Sequence, residues 1–102
     1  MKDNKQQSEQ DKQKDELFET GKFYLINNRY DEALKIFQQL LSIDNNDPEI
    51  YYHIGLIKEA KNEIAEAKQM FLETIKRNPK HKLAKKHLNK LIGINEETGD
   101  NK

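Results

Sequence analysis

The side chains in this chain that could carry chemistry are three imidazoles and several pairs of carboxylates. The histidines are His53, His81 and His87. No two of them stand four residues apart with a glutamate between, so the helix-borne zinc pattern is absent; it needs two imidazoles on successive turns of one face. His53 and His87 lie 34 residues apart, but two imidazoles alone make a weak metal site. No metal and no other cofactor is expected. Glu16 with Glu19, and Glu63 with Glu66, are i, i+3 pairs on polar faces. General acid–base work requires burial in a cleft to separate two pKa values, so these pairs read as solubilising. There is no Cys, which removes thiol nucleophiles, thiolate metal sites and disulfides. Neither a glycine-rich phosphate loop nor a nucleophile elbow occurs. The chain is therefore expected not to be an enzyme.

The scaffold that must hold these residues is small. Of 102 residues, 34% are hydrophobic and 35% charged, a composition too thin for a large enclosed substrate cavity. No apolar run approaches the roughly 18 residues of a membrane span. The first 16 residues contain one apolar side chain, Met1, so no signal-peptide core is expected and the cytoplasm is the default location. The formal net charge of +0 is a sum of unequal parts. Residues 1–73 carry −5, residues 74–95 carry +7 without an acid, and residues 96–102 carry −2. A basic C-terminal helix on an otherwise acidic chain is an electrostatic feature that an approaching partner would feel.

Apolar side chains recur at helical spacing in five stretches, and nothing alternates with a period of two. Leu17, Phe18, Gly21, Tyr24 and Leu25 form the first stripe, ended by Asn27-Asn28, since Asn tolerates the left-handed backbone of a helix terminus. Tyr30, Ala33, Leu34, Phe37, Leu40 and Leu41 form the second. Asp47-Pro48 then supplies an N-cap and a first-turn proline for the third, which runs through Ile50, Tyr51, Ile54, Gly55 and Ile57 to Lys61-Asn62. Ile64, Ala67, Phe71 and Ile75 make the fourth, stopped at Asn78-Pro79; Leu83, Ala84, Leu88, Leu91 and Ile92 make the fifth. The fold class is all-α with five helices.

The stripes repeat. A shift of 34 carries Gly21 to Gly55, Tyr30 to Ile64, Glu32 to Glu66, Ala33 to Ala67, Phe37 to Phe71 and Leu41 to Ile75. Small residues fall where two antiparallel helices must approach, and an aromatic falls where the second helix covers the first. A helix–turn–helix period of this length with Gly, Ala and Phe so placed resembles the tetratricopeptide repeat. On that resemblance, residues 14–47 are one repeat, 48–81 the next and 82–92 a capping helix, between a disordered or frayed leader (1–13) and a disordered tail (93–102). The sequence departs from the family pattern at Lys58, where Tyr24 stands in the first repeat, and at Asn45, where Pro79 closes the second. The resemblance implies a short right-handed superhelical solenoid of antiparallel helix pairs.

In that family the first helix of each repeat lines a concave groove. The corresponding positions here are Phe18, Lys22 and Leu25, then Tyr52, His53, Leu56 and Glu59, and on the capping helix Leu83, Lys86, His87 and Lys90. Aromatic anchors beside cations suit a peptide, possessing acidic character, or a partner protein. The carboxylate clamp that binds chaperone C-termini is broken, because its positions hold Phe18, Lys22, His53, Leu83 and His87. The first reading is thus an adaptor that binds a peptide or partner protein in its groove. The alternative is a self-associating scaffold, a homodimer or larger, because two repeats fall short of the usual minimum of about three. Binding of nucleic acid or an anionic surface by residues 76–90 ranks behind both, since that stretch has no interleaved aromatics for base stacking.

Overall fold

The computed structural model describes residues 8–100, with side chains through Gly93. These residues form five helices and no strand: α1 (Glu9–Ile26), α2 (Tyr30–Ile43), α3 (Pro48–Ala60), α4 (Ile64–Arg77) and α5 (Lys82–Asp100). The fold is an all-α helical repeat. It divides into two compact units, one ending at Asn45 and the other beginning at Asn46.

In the first unit α1 and α2 pack as a hairpin. The close approach is made at Gly21. A Cβ there would stand 2.6 Å from Phe37 Cε2 and 3.1 Å from Ile36 Cγ2, so a side chain would displace the ring. Phe37 is fully buried, and its ring and that of Phe18 meet at right angles with centroids 5.3 Å apart. The connection is a helix-ending turn in which Asn28 adopts φ 63°. Arg29 N–H reaches back to the Tyr24 carbonyl at 2.8 Å, and Asn28 N–H to that of Leu25 at 3.0 Å. These two bonds satisfy carbonyls that the end of α1 would otherwise leave open. Lys14 Nζ meets Asp44 Oδ2 at 2.8 Å, tying α1 to the residue after α2.

The second unit repeats this hairpin and adds a helix. Asp47 caps α3 by accepting from Glu49 N–H at 2.9 Å, and Pro48 occupies its first turn. A Cβ on Gly55 would lie 2.7 Å from Phe71 Cε1. Asn62 takes φ 64°, with Glu63 N–H on the Lys58 carbonyl at 2.8 Å and Asn62 N–H on that of Glu59 at 2.9 Å. The core joins Tyr52 of α3, Ala67 and Phe71 of α4, and Ala84, Leu88 and Leu91 of α5. Each fully buried aromatic of this kind stabilises the fold by about 1.5–3 kcal/mol.

Two expected boundaries differ. The leader over residues 1–13 lies outside the described residues as far as residue 7, and from Glu9 the chain is helical. Ser8 caps α1 by accepting from Asp11 N–H at 3.0 Å, and Glu9 and Asp11 place negative charge at the positive end of the helix. At the other end α5 continues through Gly93 to Asp100, where the disordered tail was expected from 93. A single glycine costs a helix about 1 kcal/mol and does not stop it. The last two residues of the expected tail, 101 and 102, lie outside the described residues.

Candidate functional site

The sequence-derived candidates fall into both units. Phe18, Lys22 and Leu25 sit on α1, half-buried. Lys22 Nζ lies 5.7 Å from the Phe18 ring centroid and 3.5 Å from Glu19 Oε2. The other candidates lie on α3 and α5 of the second unit, and the structure joins several of them directly.

Glu59 is the joint. Its carboxylate accepts from His87 Nδ1 at 2.9 Å through one oxygen and from Lys90 Nζ at 2.7 Å through the other. The helical spacing of residues 87 and 90 puts both donors on one face of α5, within reach of a single residue near the end of α3. The carboxylate fixes the His87 tautomer with its proton on Nδ1 and pre-orients the ring. That ring stacks on Phe71, with centroids 5.3 Å apart and planes at 25°.

Tyr52 is a core residue. It is 8% exposed and is ringed by His81 at 4.7 Å, His53 at 5.3 Å, Phe71 at 5.9 Å and His87 at 6.0 Å. Burial pushes its phenol above the ordinary value, and the charges of Glu49 and Glu59 add to the rise. His53 Nδ1 lies 2.8 Å from the Glu49 carbonyl. A carbonyl only accepts, so Nδ1 carries the proton. Leu56 is half-buried against the core cluster.

Lys86 is exposed. With Leu83, His87 and Lys90 it lines a shallow depression of about 130 Å³ along α5. Leu83 is 53% exposed there. The surface of this unit therefore offers an apolar dimple rimmed by cations, on a helix whose position is held by Glu59.

A second polar tie between α3 and α5 rests on residues the sequence did not mark as functional. His81, 8% exposed, accepts from Ala84 N–H through Nδ1 at 3.1 Å. Its Nε2 lies 2.8 Å from Glu49 Oε2. One ring nitrogen accepts and the other donates, so the imidazole is the neutral Nε2–H tautomer and serves as the N-cap of α5. Its place just before the fifth apolar stripe was a signal for the cap. Nothing in the sequence signals the bond to Glu49, which is 32 residues away.

Among the described residues no group of three or more metal-binding side chains converges, and no helix is long and apolar enough to cross a membrane. A family model described as Tetratricopeptide repeat matches residues 24–91. A comparison with curated proteins finds no match.

Proposed function

The chain belongs to the tetratricopeptide repeat family, and from that premise we propose that it is an adaptor that captures a peptide or partner protein on the α3–α5 face of its second unit. Such repeats generally mediate protein–protein interaction and are typically non-catalytic. The observation that carries the reading is the carboxylate of Glu59, which holds His87 and Lys90 together. It keeps the dimple of Leu83, Lys86, His87 and Lys90 in one shape before any ligand arrives. Preorganisation of this kind lowers the entropic cost of binding. The ligand chemistry that suits it is a small apolar side chain flanked by carboxylates. Lys86 supplies an exposed cation, while Lys90 keeps its ammonium half-exposed beside Glu59.

A peptide-display selection on the wild-type chain tests this. The enriched peptides are expected to be acidic and to bind Lys86→Glu and Leu83→Asp at least about ten-fold more weakly, because like charges across an interface cost several kcal/mol. Both positions are exposed, so the variants keep their fold. Peptides that bind wild type and both variants equally would overturn the proposal. Nucleic-acid binding by residues 76–90 has less support. Arg77 is committed to Glu73 at 2.6 Å and lies 4.0 Å from the Tyr51 ring centroid, and Lys90 is committed to Glu59.

A further inference from the structure

The outer faces of α1 and α5 carry stripes of opposite character. On α1, Glu16, Glu19, Phe23 and Ile26 are all exposed. Their spacing of three, four and three residues lines them up along one face, the pattern of a helix that expects another helix beside it. Phe23 is 61% and Ile26 77% exposed, large values for an aromatic and a branched aliphatic side chain on neighbouring turns. On α5, Leu83, Lys86, Lys90 and Gly93 follow with the same spacing. Leu83, Lys86 and Lys90 are exposed. At Gly93 no atom lies within 4 Å of where a Cβ would stand, so a neighbouring side chain can lie against the backbone.

The two stripes match in one orientation. Laid antiparallel, Ile26 faces Leu83, Phe23 faces Lys86, Glu19 faces Lys90 and Glu16 faces Gly93, within reach of Lys90. The apolar pair meets at one end, over the α5 dimple. A Lys side chain covers the aromatic ring, an arrangement in which the cation is attracted to the ring face. Both carboxylates meet Lys90 at the other end; its side chain stays 55% exposed although its ammonium already touches Glu59. Laid parallel, Glu16 would face Leu83 and Ile26 would lose its apolar partner. The larger charge pattern agrees with pairing α1 against α5 in either orientation: residues 74–95 carry +7 and residues 1–73 carry −5.

We infer that the chain assembles with itself, the α1 stripe of one copy docking antiparallel on the α5 stripe of another. The inference rests on the protein-binding reading and names the partner of α5. The contact is heterologous, joining two different patches, so each docked copy still has an α1 and an α5 stripe of its own to offer.

Sedimentation across a concentration series, with charge-reversed pairs, tests it. Wild type is expected to gain mass with concentration, and to do so less at high salt. Glu16→Lys/Glu19→Lys leaves two basic stripes, and Leu83→Glu/Lys86→Glu, both at exposed positions of the α5 stripe, leaves two net acidic ones. Each alone is expected to associate at least about ten-fold more weakly than wild type. An equimolar mixture of the two restores opposite charge and is expected to regain association. Circular dichroism verifies the fold of each, and Phe23→Ser, which alters no charge, is expected to weaken assembly as well. A wild type that stays monomeric at its highest concentration would overturn the inference. So would variants that assemble like wild type, or a mixture that stays inert. A monomeric wild type that still enriches acidic peptides on α5 would sink self-assembly and leave the protein-binding reading standing.

Discussion

The two helix hairpins share their skeleton and differ in what locks it. Gly21 under Phe37 and Gly55 under Phe71 are the same close approach, and Asn28 and Asn62 make the same left-handed turn. At the turn the chemistry changes. In the first hairpin Arg29 pairs with Glu32 at 2.7 Å and lies 5.6 Å from the centroid of the Tyr24 ring. A shift of 34 turns Tyr24 into Lys58 and Arg29 into Glu63. There Lys58 lies 3.2 Å from both Glu63 and Glu66. Burial pulls the Lys58 ammonium down, but its two carboxylate partners outweigh this and raise it. The cation has moved from the start of the second helix to the end of the first, and the turn keeps its form. Position in the repeat dictates the backbone; the polar lock needs opposite charges within reach, in either order.

The hairpins also differ in burial. Among the described residues of α1, Gly21 is the buried one, whereas α3 buries Ile50, Tyr52, Ile54, Gly55 and Ile57. For Tyr52 the cause is α5, which brings Ala84, Leu88 and Leu91 against it. The same helix brings His81 to Glu49 and His87 and Lys90 to Glu59. The second unit is thus a hairpin with a lid held by two carboxylates, and the candidate site lies on that lid.

The largest test of the shared skeleton is removal of its rings. Phe37→Ala and Phe71→Ala are each expected to cost about 3–5 kcal/mol in denaturant unfolding, because both rings are fully buried. A small cost at either position would break the equivalence of the hairpins. His81→Ala tests the lid. Loss of the α5 cap and of the imidazole packed on Tyr52 is expected to cost about 2 kcal/mol. Hydrogen exchange should quicken in the first turn of α5 and stay unchanged in α1 and α2. His81→Asn, which retains a capping acceptor, should recover about half of that loss. Gly21→Ala and Gly55→Ala sharpen the comparison. Overpacking against the ring, partly offset by alanine's better helix propensity, predicts a net loss of about 1–2 kcal/mol at each.

The turns give smaller effects. Asn28→Ala and Asn62→Ala should each cost about 1 kcal/mol, since alanine resists the left-handed region, while Asn→Gly should be nearly neutral. The smallest effect is that of acid. A hydrogen bond from Arg29 and the ion pair with Lys58 hold the Glu32 and Glu63 carboxyls below their ordinary values. A depressed carboxyl contributes stability above its unfolded pKa and loses it as pH falls through the folded one. Melting temperature should therefore fall slightly in that acidic window. NMR titration should find both carboxyls depressed; an ordinary value at Glu63 alone would show that the exchanged lock does not hold.

The period, the glycines and the rings were legible because each is a local requirement repeated at a fixed distance. The two Asn turns were legible because Asn is among the few residues that accept positive φ. The start of α1 was not, since residues 1–13 have no apolar face and its cap, Ser8 accepting from Asp11 N–H, lies within that stretch. The continuation of α5 beyond residue 92 was not, since Gly93 and a polar composition also describe a helix end.

By itself the sequence determined the repeat, its backbone turns and the five apolar stripes, because helix periodicity and residue conformational preference act within a few positions. The tertiary structure decided the rest. It buried Tyr52, which groove mapping alone treated as a ligand contact. It made His81 a cap bound to Glu49, and made Glu59 the partner of His87 and Lys90. Those bonds join residues 28 to 32 positions apart. Whether such a pair meets depends on how three helices pack, and hydrophobic burial, which sets that packing, is non-directional and carries no label for which carboxylate will face which imidazole.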